Sequence, residues 1–131
     1  MPLVIDASVA VEYLLRTRLG RGVARRLEHE DLVAPELLDA EVLAVLRRAW
    51  RLRTLAEPRA RAALDDLLAW PLRRVPHAAL VRTAWDFRHN ASGYDALYLS
   101  TARLFDAPLL TADGPLSRAP SLGVVIENVR A

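Results

Sequence analysis

Hydrophobic positions fall into short apolar runs that alternate with stripes of helical spacing. Leu3-Val4-Ile5 is a continuous run that stops at Asp6, the pattern of a short strand buried on both faces. Helices are predicted from Ala7 to Leu15 and from Leu19 to Glu30, with Gly20 and Gly22 loosening the junction between them. Leu32-Val33-Ala34 reads as a brief strand. Pro35 is expected to open a helix, where its missing N–H costs nothing, and that helix runs to about Arg53. The next helix spans about Glu57 to Trp70, with Pro58 in its first turn. Pro71 and Pro76 bracket a short extended piece. Further helices are predicted at about Ala78 to His89 and Tyr94 to Phe105. Pro108 then introduces a strand from Leu109 to Thr111. Gly114-Pro115 is expected to break the chain, and Val124-Val125-Ile126 to form a last edge strand.

Strands separated by helices imply an α/β fold with a central parallel sheet, right-handed crossovers and helices on both sides. No repeat or linker divides the sequence, so residues 1–131 are expected to form one domain. In open sheets of this kind, ligands bind beyond the carboxyl ends of the strands. Asp6 and Asp113 stand at two such ends.

Composition narrows the chemistry. The chain has no cysteine, which excludes disulfides, zinc–thiolate sites and a thiol nucleophile and suits a reducing cytoplasm. The first apolar stretch lacks a basic leader and is broken by Asp6 and Glu12, so neither a signal peptide nor a membrane span is expected. The formal charge is only +2, and all 18 Lys/Arg residues are arginine. Without lysine, a phosphate-binding P-loop is excluded. Receiver domains and haloacid-dehalogenase-like phosphatases, which also gather aspartates at strand ends, are excluded on the same ground. Arginines cluster at Arg16, Arg18, Arg21, Arg25 and Arg26, and again at Arg47, Arg48, Arg51 and Arg53. Each cluster reads equally well as a solvated helix face or a phosphate-binding patch.

Carboxylates carry the sharper signal. Glu41 lies in a helical stripe with Leu37, Leu38, Val45 and Leu46, whereas Asp39 falls about 200° around the helix and is expected to be solvated. Asp95 stands beside Tyr98, Leu99 and Ala102. Asp6 closes an apolar strand, and Asp113 follows Leu109-Leu110-Thr111-Ala112. Singly, each has an ordinary explanation. Glu41 could pair with a buried arginine, Asp6 or Asp95 could cap a helix, and Asp113 could serve a turn. Jointly they point elsewhere. Two like charges about 4 Å apart repel by about 4 kcal/mol at an effective dielectric near 20, so four converging carboxylates need a cation. Oxygen-only donors suit Mg²⁺ or Mn²⁺, which points to metal-assisted phosphoryl chemistry.

His29, His77 and His89 match no ligand spacing and read as surface or satisfied histidines. Trp50, Trp70 and Trp85 read as core or interface residues, and Asp65, Asp66 and Asp86 as surface charge. Gly20-Arg21-Gly22 lacks the third glycine and the preceding strand of a dinucleotide loop. Ser100-Thr101 has no positioned base.

Four segments carry a family resemblance: Val4-Ile5-Asp6-Ala7-Ser8, Pro35-Glu36-Leu37-Leu38-Asp39-Ala40-Glu41-Val42, Tyr94-Asp95-Ala96-Leu97-Tyr98-Leu99 and Leu110-Thr111-Ala112-Asp113. In this order and spacing the chain resembles the PIN domain, specifically the VapC toxin ribonucleases of type II toxin–antitoxin pairs. The resemblance implies a PIN-like fold and metal-dependent RNA hydrolysis that leaves a 5′-phosphate and a 3′-hydroxyl. It makes Asp6, Glu41, Asp95 and Asp113 the catalytic and metal-binding acids, with Ser8 and Thr111 as polar support and one or two Mg²⁺ or Mn²⁺ ions. It also implies a homodimer and a cognate VapB-like antitoxin, in a higher-order complex or alone. Val9, Val11, Tyr13 and Leu14 are expected to contribute to the antitoxin's groove, or else to pack in the core. The chain departs from many relatives in having Gly114-Pro115 after the fourth acid, and Glu12 where a lysine is common. Glu12 either edges the site or is a solvated charge. Two alternatives stay open: an interaction module with a silent site, and an RNA-processing PIN nuclease without an antitoxin.

Overall fold

The computed structural model describes residues 1–117 and 123–130. Its sheet has five strands: β1 (Pro2–Ile5), β2 (Asp31–Pro35), β3 (Arg73–Val75), β4 (Leu109–Thr111) and β5 (Ile126–Asn128). Every pairing is parallel and the spatial order is β3-β2-β1-β4-β5. The helices are α1 (Ala7–Leu14), α2 (Arg18–His29), α3 (Leu37–Arg51), α4 (Glu57–Ala69), α5 (Val81–Trp85), α6 (Gly93–Leu104) and α7 (Gly114–Ser117).

The apolar run Leu3-Val4-Ile5 is the central strand, and all three side chains are fully buried. A strand covered on both faces is read as an unbroken apolar run, which is why β1 was legible. From β1 the chain steps through β2 to β3 in one direction. It then crosses back to β4, on the far side of β1, and continues outward to β5. Right-handed crossovers that travel in opposite directions lay their helices on opposite faces of the sheet. The packing agrees, because α1, α2, α3 and α4 contact one another while α5 packs on α6 and α6 on β1, β2 and β4. The order therefore reverses between β1 and β4, and the crevice of this sheet opens at their carboxyl ends.

Several boundaries differ from the expectation. Pro35 is the last residue of β2 and pairs with Val75, so it does not open the following helix, which begins at Leu37. Parallel pairing on one side leaves its missing N–H without cost. Residues 78–89 are not one helix but a 3₁₀ turn (His77–Ala79) and the short α5. Gly114-Pro115 starts the short α7 instead of breaking the chain. The last strand is shifted towards the C-terminus, with Ile126 opposite Leu109 and Asn128 opposite Thr111. Gly20 and Gly22 lie inside α2, not at a junction.

Candidate functional site

Asp6 and Asp113 follow β1 and β4 directly, at the reversal point. Asp6 is buried, at 5% exposure. It is the N-cap of α1, with Oδ1 accepting the Val9 N–H at 3.1 Å and the Ser8 hydroxyl at 2.6 Å. The Thr111 hydroxyl donates to Oδ2. The capping reading and the site reading of Asp6 thus coexist, since a carboxylate offers about four lone-pair positions. Ser8 also accepts the Ala112 N–H at 2.8 Å, which stitches the first turn of α1 to the loop after β4.

Asp113 is half-buried, and its Oδ1 accepts the Leu116 N–H at 3.3 Å. Its own N–H donates to Thr111 Oγ1 at 2.9 Å. Asp95 lies in the first turn of α6, but the cap there is Ser92, whose hydroxyl accepts the Asp95 N–H at 3.1 Å. Three of the four acids therefore stand at helix N-termini, where the backbone dipole favours negative charge.

Glu41 projects from α3. The buried face of that helix is Leu38, Val42 and Leu46, while Val45 is 44% exposed. Glu41 thus sits at the margin of the apolar stripe rather than within it. Among the described residues, no arginine pairs with it. Instead the buried Tyr98 phenol donates to Glu41 Oε1 at 2.6 Å. Burial, with the neighbouring Glu41 and Asp6 charges, raises the Tyr98 pKa, so the phenol stays a neutral donor. Sequence reasoning assigned no role to Tyr98. Its signal was a polar tip on the buried stripe of α6, in contact range only after α3 and α6 are placed on the sheet.

Asp6, Glu41, Asp95 and Asp113 line one cavity of about 290 Å³ together with Ser8 and Tyr98. Thr111 reaches it through its bond to Asp6. Burial raises the Asp6 carboxyl above its ordinary value; the Ser8, Thr111 and Val9 hydrogen bonds oppose this, and the Asp113 charge adds to it. Burial and then the Asp113 charge raise Asp95, opposed by Ser92. Asp113 is thus felt by both aspartates, the signature of like charges sharing a low-dielectric crevice.

The donor set fits a hard divalent cation: oxygen ligands only, mutually repelling, with hydroxyl support. Among the described residues, no three acids stand close enough to form a ready cage. A cation there would take one or two carboxylates at a time and complete its shell with water, as Mg²⁺ commonly does.

Residues outside the motifs fall elsewhere. Glu12 does not edge the cavity; it pairs with Arg130 at 3.1 Å and accepts from the Thr17 hydroxyl. Asp39 is not a free solvated charge, because Arg74 Nε donates to its Oδ2 at 2.7 Å. Val9 and Leu14 are buried in the core, whereas Tyr13 stacks on Trp70 with ring centroids 4.9 Å apart. Trp50 and Trp85 are exposed on this chain rather than core residues. Arg47 and Arg48 are exposed one turn beyond Ala44, which lines the acidic cavity.

Comparison with known proteins agrees with this geometry. The PIN domain family model matches residues 3–122. Ribonuclease VapC1 of Mycobacterium tuberculosis is 43% identical over 129 residues, 97% of each chain. Ribonuclease VapC12 of the same organism is 33% identical over 127 residues, 97% of this chain and 98% of that one. Among solved structures, VapBC2 from Rickettsia felis, bound to a DNA fragment from its promoter, superposes with a TM-score of 0.68 at 14% identity, covering 98% of both chains. At that identity the likeness speaks for the fold. With the family model spanning most of the chain and a relative at 43% identity, this chain belongs to the PIN-domain family, among its VapC-like members.

Proposed function

We propose that this chain is the toxin ribonuclease of a type II toxin–antitoxin pair, hydrolysing RNA phosphodiester bonds with Mg²⁺ or Mn²⁺ at Asp6, Glu41, Asp95 and Asp113. The observation that carries this reading is the meeting of these four carboxylates in one cavity at the point where the strand order reverses. The names of the relatives, ribonucleases VapC1 and VapC12, support the same chemistry.

A divalent ion bound there would acidify an attacking water and offset charge on the reacting phosphate. The chain's own residues supply position. Ser8, Thr111 and the Val9 N–H fix the Asp6 carboxylate, and Tyr98 occupies Glu41 Oε1, leaving Oε2 for other work. Arg47 and Arg48 are suited to hold phosphates of the strand. Water attacks phosphorus in line, the bond to the 3′ oxygen breaks, and that oxygen takes up a proton.

The family also supports a VapB-like antitoxin, a homodimer and action in the cytoplasm. A cavity of about 460 Å³ walled by Tyr13, Leu14, Arg21, Ala24 and Trp70 is suited to receive a partner segment, whereas fully buried Val9 does not line it. Among the described residues, no helix is long and apolar enough to cross a membrane.

The test is cleavage of end-labelled cellular RNA by purified protein with Mn²⁺, Mg²⁺ or chelator, repeated after co-expression with the neighbouring small reading frame. Metal-dependent cuts are expected, to be abolished in Asp6→Asn and Asp95→Asn with the fold retained, and suppressed by the co-purified partner. Equal cutting by both mutants would overturn the assignment of these acids. No cutting by a folded native chain that also fails to bind Mn²⁺ would favour an interaction module.

A further inference from the structure

Arg130 lies outside every segment that carries the family resemblance, yet it reaches the loop that bears Asp113. Its Nε donates to the Ala112 carbonyl at 3.0 Å, and its terminal nitrogen donates to Glu12 Oε1 at 3.1 Å. The backbone beneath it is fixed as well: its N–H donates to Asn128 Oδ1 at 2.9 Å, and the Val129 N–H to the Thr111 carbonyl at 2.8 Å. The Ala112 carbonyl and the Asp113 N–H belong to one peptide unit. Arg130 holds the oxygen end of that unit, and the Thr111 hydroxyl accepts from its nitrogen end at 2.9 Å. The same Thr111 hydroxyl donates to Asp6. A peptide group is planar, so bonds at both ends fix its orientation and the direction in which the Asp113 Cα leaves it.

We propose that Arg130, braced by Glu12, is a positioning residue that sets Asp113 against Asp6. The proposal rests on the reading of Asp113 as a site acid. The guanidinium is suited to the task because its planar fork donates to a carbonyl and a carboxylate at once, whereas an ammonium is a point charge on a flexible stem. Glu12 is then neither a site ligand nor a stray charge. It anchors the guanidinium to α1, the helix that Asp6 caps. That arrangement gives the acidic residue at this position a role.

Two measurements test it on the full chain. The first is amide hydrogen exchange without metal. Arg130→Ala is expected to speed exchange at the Asp113 amide about ten-fold or more while leaving Val4, in the central strand, unchanged. The second is Mn²⁺ affinity by calorimetry. Loss of a group that orients a ligand typically weakens binding by about 10- to 100-fold, and Arg130→Ala is expected in that range, with Arg130→Lys between it and the native chain. In an Asp113→Asn background, Arg130→Ala should weaken affinity no further, because both changes act through one group. Unchanged exchange at Asp113 would overturn the clamp. A full additional loss in the Asp113→Asn background would show a bulk charge effect instead. A native chain without Mn²⁺ affinity would defeat the nuclease reading, and the exchange result would still decide whether Arg130 holds the loop.

Discussion

Tyr98 and Glu41 are 57 positions apart, and their 2.6 Å hydrogen bond brings an uncharged aromatic side chain to the acidic cavity. A buried hydroxyl that donates to a carboxylate both orients it and spares it an unpaired lone pair. Tyr98→Phe keeps the ring and removes only the donor. The expected cost is about 1–3 kcal/mol of stability, read from denaturant midpoints, with a clear loss of cleavage. Cleavage and Mn²⁺ affinity equal to those of the native chain would show that Glu41 needs no such support. At this scale the sequence and the family resemblance displayed the acids with Ser8 and Thr111 as their support, but not Tyr98 as the partner of Glu41. Asp6 and Asp113 stood out because each ends an apolar run. The Thr111 hydroxyl meets the Asp6 carboxylate across 105 positions, and the Ser8 hydroxyl, local to Asp6, accepts the Ala112 N–H across 104; both long-range contacts follow from strand register.

Helix α2 packs on α1 through Gly20. A Cβ built there would lie 1.9 Å from the Glu12 carbonyl oxygen, closer than any real contact, so the two helices could not approach as they do. Alanine is normally the better helix former by about 1 kcal/mol, and here the sign should reverse. Gly20→Ala is expected to destabilise the chain by about 2 kcal/mol or more, because backbone rather than a flexible side chain must yield. Gly22, whose added Cβ would meet nothing within 4 Å, is the control: Gly22→Ala should be neutral or stabilising. A thermal midpoint raised by Gly20→Ala would refute the close-packing account. In the sequence these two glycines looked alike, since local pattern cannot tell a glycine that faces another helix from one that faces solvent. The same blindness misplaced Pro35, whose role depends on its pairing with Val75.

For the whole molecule, the crevice is maintained against its own electrostatics. Burial and neighbouring charge raise the carboxyls of Asp6 and Asp95. A carboxyl with a higher pKa folded than unfolded favours the fold when protonated. That contribution is complete below the unfolded value, about 3.9 for aspartate, and is lost as pH rises through the folded value. At neutral pH the metal-free chain therefore carries a penalty at both positions. Asp95→Asn should raise the metal-free thermal midpoint at pH 7, and its advantage should shrink as pH falls through the raised Asp95 pKa and vanish below the unfolded value. Calorimetric scans of both chains across that range provide the check, and a difference independent of pH would contradict it. A penalty of this kind, kept at the carboxyl ends of the central strands, is expected where a cation site has been built at the cost of stability.

The sequence by itself determined the alternation of strands and helices and the buried central strand, because burial on both faces and periodic stripes are local properties of neighbouring residues, and with the family resemblance it singled out the four acids that the fold brings to one cavity. Only the tertiary structure decided that β4 returns beside β1, that Tyr98 meets Glu41 and Thr111 meets Asp6, and that Arg130 meets the Ala112 carbonyl and Glu12. Those contacts are set by strand order and register, and no local window of the chain contains both partners.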